Sequence, residues 1–264
     1  MNARRPWPWA RVLAHRGGGT LAPENTIGAI RVGIEHGYRA IEIDAMLPRD
    51  DTPILMHDSR LGRTVAGTGA IAGHTAAELA RLDAGRWHSP RFLGEPVPTL
   101  DDALAYCRRE GVWCNVEIKP APGREAATGR VVAATVAAAY ADRVRAGGAR
   151  QETVEPSVPL LSSFSIEALE AARAAVPDLP RGWLVDRVPA DWRAQLDALG
   201  CIAVHANHRH LTPAQAAAIK ASGAWLFCYT VNRPARAREL LAWGVDAFCT
   251  DRIDLIGPDF AMRA

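Results

Sequence analysis

The spacing of apolar and polar positions changes period regularly along the chain. Short apolar runs alternate with longer segments in which apolar residues recur every three or four positions. The first pattern suits buried strands and the second amphipathic helices. Eight such runs read as strands: Val12 to Ala14, Ala40 to Leu47, Trp113 to Ile118, Pro159 to Ser163, Gly182 to Val185, Ile202 to His205, Trp225 to Val231 and Ala247 to Thr250. The segments between them predict helices at Ile27 to Glu35, Thr99 to Glu110, Arg124 to Tyr140, Ile166 to Val176, Pro189 to Leu199, Pro213 to Ser222 and Pro234 to Trp243. Local signals fix several ends. Thr26 is placed to cap the first helix and Gly37 to end it. Thr212-Pro213-Ala214-Gln215 forms a capping box with Pro at the first helical position.

One further run, Pro53 to Met56, follows the second strand too closely for a helix to intervene. A parallel crossover needs a dozen or more residues, so this pair must be a hairpin. The turn chemistry of Pro48-Arg49-Asp50-Asp51 agrees. The return strand would carry His57 back beside Glu42 and Asp44. From Gly62 to Pro98 periodicity is weak and Gly is frequent, which predicts an insertion with one short helix, Ala76 to Leu82. Setting the return strand aside, eight βα units in about 250 residues predict an α/β fold, the (β/α)8 TIM barrel. No domain boundary is needed. The expectation is one barrel domain over residues 1–264, with an insertion at about 59–98 after a hairpin from the second strand.

In such barrels chemistry gathers at the C-terminal ends of strands. His15, Glu42, Asp44, Glu117, Lys119, Ser163 and Asn232 all fall at or near those ends, so residues far apart in sequence converge on one mouth. Glu42 and Asp44 are two apart on a strand and point the same way, as do Glu117 and Lys119. Two acids facing into a barrel are costly unless a cation compensates. Three carboxylates from two strands suggest a hard-cation site, with His15 and His57 as acid/base groups. Arg16 and Lys119 suggest an anionic ligand.

Composition narrows this further. The net charge is only +2 and no basic block stands out, so nucleic acid is not an expected partner and any anion preference is local. The five Cys are scattered without CxxC spacing, which predicts free thiols in a reducing compartment. Met1 to Trp9 lacks an apolar signal core, and no run of eighteen apolar residues follows. A cytoplasmic protein without stable membrane association is expected.

Together these residues resemble the glycerophosphodiester phosphodiesterase family. The matching words, in order, are His15-Arg16-Gly17, Pro23-Glu24-Asn25-Thr26, Glu42-Ile43-Asp44, His57-Asp58, Leu82-Asp83-Ala84-Gly85 with Trp87, Pro98-Thr99-Leu100, Glu117-Ile118-Lys119, Thr230-Val231-Asn232 and Thr250-Asp251. Any one word is weak; the ordered set, from Ala14 to Asp251, is specific. The resemblance implies that Glu42, Asp44 and Glu117 bind one divalent cation, Mg²⁺ or Ca²⁺ with Mn²⁺ as a further candidate. It implies His15 and His57 as the acid/base pair. Arg16 and Lys119 would hold phosphate, with Asn232 and Tyr229 as further substrate-binding candidates. The implied reaction is hydrolysis of a glycerophosphodiester, a small-molecule substrate, to sn-glycerol 3-phosphate and an alcohol. Two positions depart from the family pattern: Tyr229 stands where Trp is usual, and Asp51 where the hairpin turn usually has Gly.

Other features read more plainly. Asp58 is expected to orient His57 or its turn rather than bind metal. His205, His208 and His210 lie partly in a loop and match no metal signature; a solvated loop after a barrel strand is expected there. Gly17-Gly18-Gly19 is read as a tight first βα loop. Trp87 is either core of the insertion or a cap over the glycerol end of a substrate. Two rival functions remain: a phospholipase D acting on lysophospholipids or sphingolipids, which would want an exposed apolar rim, and a non-catalytic phosphodiester-binding barrel, which would be expected to have lost a histidine or carboxylate.

Overall fold

The computed structural model describes residues 6–144, 151 and 154–262. Most of the stretch read for a targeting signal, residues 1–5, lies outside them. Eight parallel strands close into a barrel. They are β1 (Val12–Ala14), β2 (Ala40–Met46), β4 (Trp113–Ile118), β5 (Leu160–Ser163), β6 (Arg181–Val185), β7 (Ala203–Asn207), β8 (Trp225–Tyr229) and β9 (Ala247–Thr250). Pairing of β1 with both β9 and β2 shuts the ring. The short β3 (Ile54–Leu55) lies antiparallel on β2, so the hairpin forms as the sequence requires. Asp51 in its turn has φ 57°, the left-handed conformation that Gly would adopt without strain.

Helices α1 (Ile27–Glu35), α3 (Leu100–Glu110), α4 (Glu125–Ala139), α5 (Ile166–Ala175), α6 (Trp192–Leu199), α7 (Pro213–Ala221) and α8 (Pro234–Ala242) form the outer ring. Thr26 accepts from the Ala29 amide, and Thr212 with Gln215 completes the capping box. Three strands end differently from expectation: β2 stops at Met46, β7 runs on to Asn207 and β8 stops at Tyr229, although the Val231 amide still donates to the Cys249 carbonyl of β9.

Strand alternation sorts the side chains. Outward-facing Ile41, Ile43, Cys114 and Val116 pack under the helices in the main core. Inward-facing residues divide by height. At the base, Trp9, Trp113, Trp225 and Phe227 form an aromatic plug, with Trp9 stacked on Trp113 at 4.5 Å. The Trp9 and Trp113 indole N–H groups are satisfied by the Pro156 and Val158 carbonyls at 2.8 and 2.9 Å. Above the plug, buried polar side chains face inward at Asn115, Ser162 and His205, and the acids lie toward the mouth.

The insertion is better built than its sequence suggests. It holds one short helix, α2 (Ala76–Leu79), with a complete capping box at Thr75 and Glu78. Val65, Ile71, Leu79 and Ala84 pack on Met46, Ile54 and Met56 in a separate small core. This anchors the insertion to the hairpin beside the barrel mouth. All five cysteines are buried free thiols. Among the described residues no helix is long and apolar enough to cross a membrane.

Candidate active site

Register brings the acids together. Ala14 pairs with Ile41, so His15 emerges next to Glu42. Asp44 pairs directly with Glu117 across β2 and β4. One carboxylate oxygen from each of Glu42, Asp44 and Glu117 lies within 4.8 Å of the others. Glu42 and Asp44 are buried, and Glu42 Oε1 has no hydrogen-bond partner. Burial and the neighbouring charge of Asp44 push the carboxyls of Glu42 and Glu117 up, to about 7 and about 8. Burial also acts against the Asp44 charge, but Arg16, Lys119 and His57 outweigh it and hold Asp44 below the usual range. The Asn25 side chain grips Asp44 from both sides, donating to Oδ2 at 2.7 Å and accepting from the Asp44 amide at 3.0 Å. A tight trio of hard oxygen donors with an orphaned oxygen and destabilised charge fits a divalent cation.

The two histidines flank this trio. The hairpin returns His57 to it, since the Met56 amide donates to the Asp44 carbonyl at 3.1 Å. Nδ1 of His57 lies 2.9 Å from Asp58 Oδ1. Hydrogen bonds from Arg63 and His57 keep Asp58 ionised, near 2, so it can only accept and Nδ1 must carry the proton. On the other side, His15 Nδ1 lies 2.5 Å from Asp251 Oδ1, and Nε2 3.7 Å from Glu42 Oε2. Burial disfavours charge on His15, yet Asp251 and Glu42 overcome it and raise its pKa, whereas burial prevails at His57 and lowers it.

The cations are close at hand. Arg16 adopts φ 52° at the first loop. This turns its amide toward Glu42 Oε2 at 3.1 Å while its side chain reaches Glu24 at 2.7 Å and Asp44 at 3.5 Å. Lys119 Nζ sits 3.1 Å from Glu117 and 3.8 Å from Asp44. Gly19, also left-handed at φ 55°, lies so close to β9 that a Cβ there would strike the Asp251 carbonyl. The Gly run therefore serves loop packing.

Two cavities open from the mouth. One, of about 320 Å³, is lined by His57, Glu117, Lys119, Met46 and Phe164. The other, of about 330 Å³, is lined by His15, Arg16, Glu24, Trp87, His88 and Asp251. Trp87 of the insertion thus belongs to the His15 side and is 44% exposed, not insertion core.

Several other candidates have partners within the protein. The amide of Asn232 is occupied by Asp251, donating to Oδ2 at 2.7 Å and accepting from the Asp251 backbone at 2.8 Å. Tyr229 donates its hydroxyl to the Val185 carbonyl at 3.0 Å and offers only its ring edgewise to Phe164. His205 is on β7, as its apolar run placed it, but is fully buried rather than solvated: it stacks on Phe227 at 4.6 Å and is aimed at Gly182, where a Cβ would strike its ring. Burial holds it neutral, with a pKa of about 3. His208 and His210 lie beyond it, near Arg236 and Asp186. Asp251, Asn25, Glu24 and Arg63 were not singled out from the sequence for roles. Glu24, Asn25 and Asp251 sat in recognisable words, but nothing in the insertion marked Arg63.

Comparison with known proteins gives the family. The family model described as glycerophosphoryl diester phosphodiesterase matches residues 15–255. A glycerophosphodiester phosphodiesterase of Bacillus subtilis is 30% identical, over 92% of this chain and 84% of the relative. One from Caldanaerobacter subterraneus subsp. tengcongensis is 29% identical, over 91% of this chain and 93% of the relative. An Oleispira antarctica phosphodiesterase, solved with the product sn-glycerol 3-phosphate, superposes with a TM-score of 0.82 at 31% identity, covering 96% of this chain and 97% of that one. With this barrel and this carboxylate trio, the chain belongs to the glycerophosphoryl diester phosphodiesterase family.

Proposed function

We propose that this protein is a phosphoric diester hydrolase that cleaves glycerophosphodiesters to sn-glycerol 3-phosphate and a free alcohol. The observation that carries the reading is a trio of carboxylates set between two cavities, each with its own histidine. A diester has two halves joined at an anionic phosphorus, and this mouth offers a place for each half on either side of the charged centre.

Glu42, Asp44 and Glu117 are the proposed holders of one divalent cation, and their hard oxygens suit Mg²⁺, Ca²⁺ or Mn²⁺. Such an ion, when bound, polarises a non-bridging phosphoryl oxygen and offsets the charge that builds there. Arg16 and Lys119 supply fixed positive charge beside the same phosphoryl group and so favour its more anionic transition state. His15 and His57 are the acid/base pair, one taking a proton from the attacking hydroxyl and the other giving one to the departing alkoxide. Asp251 and Asp58 each accept from an Nδ1–H, which leaves Nε2 of both rings as the nitrogen that exchanges protons with substrate. Asn232 acts by holding Asp251, and Tyr229 by backing Phe164, which lines the His57 cavity.

Phosphorus NMR of glycerophosphocholine with the purified protein and Mg²⁺ tests this. The expected product signal is sn-glycerol 3-phosphate. Phosphocholine in its place, or an unchanged diester, would count against the reading.

A further inference from the structure

One side chain of the insertion touches both loops that carry the histidines. Arg63 sits on a tight turn in which the Gly62 amide donates to the Val65 carbonyl at 2.9 Å and the Leu61 amide to the Gly69 carbonyl at 3.0 Å. Val65, two residues on, is buried in the insertion core, so the turn is anchored. From there the guanidinium uses three donors. Nη1 and Nη2 donate to the two oxygens of Glu24 at 2.8 and 2.6 Å, and Nε donates to Asp58 Oδ2 at 2.5 Å. Glu24 also accepts from Arg16 at 2.7 Å, and the other oxygen of Asp58 accepts from His57 Nδ1 at 2.9 Å. A continuous chain results: Arg16, Glu24, Arg63, Asp58, His57.

We propose that Arg63 is a positioning residue for catalysis, tying the loop after β1 to the loop after β3 so that Arg16 and His57 face one substrate in fixed orientation. The inference rests on the function proposed above. An ordinary surface ion pair contributes little, because exposed side chains give up entropy to form it. This one differs in geometry. A planar fork holds Glu24 with two parallel bonds while a third donor holds a second carboxylate, which a lysine ammonium cannot reproduce. Without it, Asp58, whose side chain is 29% exposed, can turn its oxygens to water and leave the Nδ1–H of His57 without a fixed acceptor. Glu24 would likewise keep Arg16 as its only strong partner.

The test compares Arg63→Ala, Arg63→Gln and Arg63→Lys with wild type, and with Arg193→Ala, which removes an exposed i,i+4 pair to Asp197 and a bond to the Ser222 carbonyl. Each variant is first checked for native circular dichroism. With glycerophosphocholine and Mg²⁺, all three Arg63 variants should lose about 10- to 100-fold in kcat, the usual loss when a supporting partner of a site group is removed. Lys should not rescue, and Arg193→Ala should stay within twofold of wild type. Nitrogen-15 NMR of labelled histidine should show His57 protonated at Nδ1 in wild type and as a mixture of tautomers in Arg63→Ala. Wild-type kcat together with an unchanged His57 tautomer in Arg63→Ala would overturn the proposal, as would full rescue by Lys. If wild type hydrolyses no glycerophosphodiester, the proposed reaction fails, and the tautomer measurement alone then decides for or against Arg63.

Discussion

His15 Nδ1 and Asp251 Oδ1 lie 2.5 Å apart although 236 positions separate them in sequence. Closure of β1 onto β9 makes the contact, since the His15 amide donates to the Thr250 carbonyl at 3.0 Å. Asp251 in turn is clamped by Asn232. The pair fixes the ring and its tautomer. Asp251→Ala should therefore lower kcat about 10- to 100-fold while KM changes little. Steady-state kinetics on glycerophosphocholine check this, and an unchanged kcat would remove Asp251 from the account.

Phosphate and metal roles should separate. Lys119 Nζ already pairs with Glu117 and Asp44, so it competes with a cation for the same oxygens. Lys119→Ala should weaken substrate binding and leave metal affinity equal or higher. Glu42→Gln and Glu117→Gln should lose metal affinity. Calorimetric titration of Mn²⁺ or Mg²⁺ into each variant decides it; a Lys119→Ala protein that no longer binds metal contradicts the split.

The raised carboxyls of Glu42 and Glu117 give a pH prediction. Both pKa values lie above the unfolded value of 4.5, at about 7 and about 8. Metal needs both ionised, so binding near neutral pH should release protons and affinity should rise with pH between about 6 and 8. The sign for stability is the reverse. In metal-free protein these two carboxyls keep protons in the folded state that they release in the unfolded state between 4.5 and about 8, so their own contribution to stability falls as pH rises through that window. Calorimetry in two buffers of different ionisation heat measures the protons. Their absence at pH 7 would show that the trio is already ionised.

Much of this site was legible in sequence because the information is local. A carboxylate two residues from another on a buried strand states its direction and its need for a cation at once, as Glu42 and Asp44 do. The hairpin that returns His57 followed from spacing alone. What stayed hidden depends on closure or on packing without periodicity. Asp251 meets His15 only when the last strand joins the first. Arg63 sits on an irregular turn held by Val65 and by backbone bonds that no pattern of apolar residues announces. His205 lies on the strand read from the apolar run, but its burial was hidden, because the room for its ring is made by the small Gly182 on the neighbouring strand.

Substrate size offers another check. The mouth has exposed aromatics, Trp87 at 44% and Phe164 at 47%, but they line separate cavities, and the apolar residues beside Phe164 share theirs with His57, Glu117 and Lys119. An acyl chain needs a continuous apolar groove. Glycerophosphocholine should therefore give a higher kcat/KM than lysophosphatidylcholine below its micelle concentration. A clear advantage for the lipid would favour a phospholipase D reading with the same metal site.

The central claim is that Glu42, Asp44 and Glu117 hold a divalent cation on which diester hydrolysis depends. The most direct measurement is glycerophosphocholine turnover after EDTA treatment and dialysis, then on adding back Mg²⁺, Ca²⁺ or Mn²⁺. The account predicts no detectable turnover without metal, recovery on its return in wild type, and no recovery in Glu42→Gln. Full activity in the metal-free wild-type protein would contradict it.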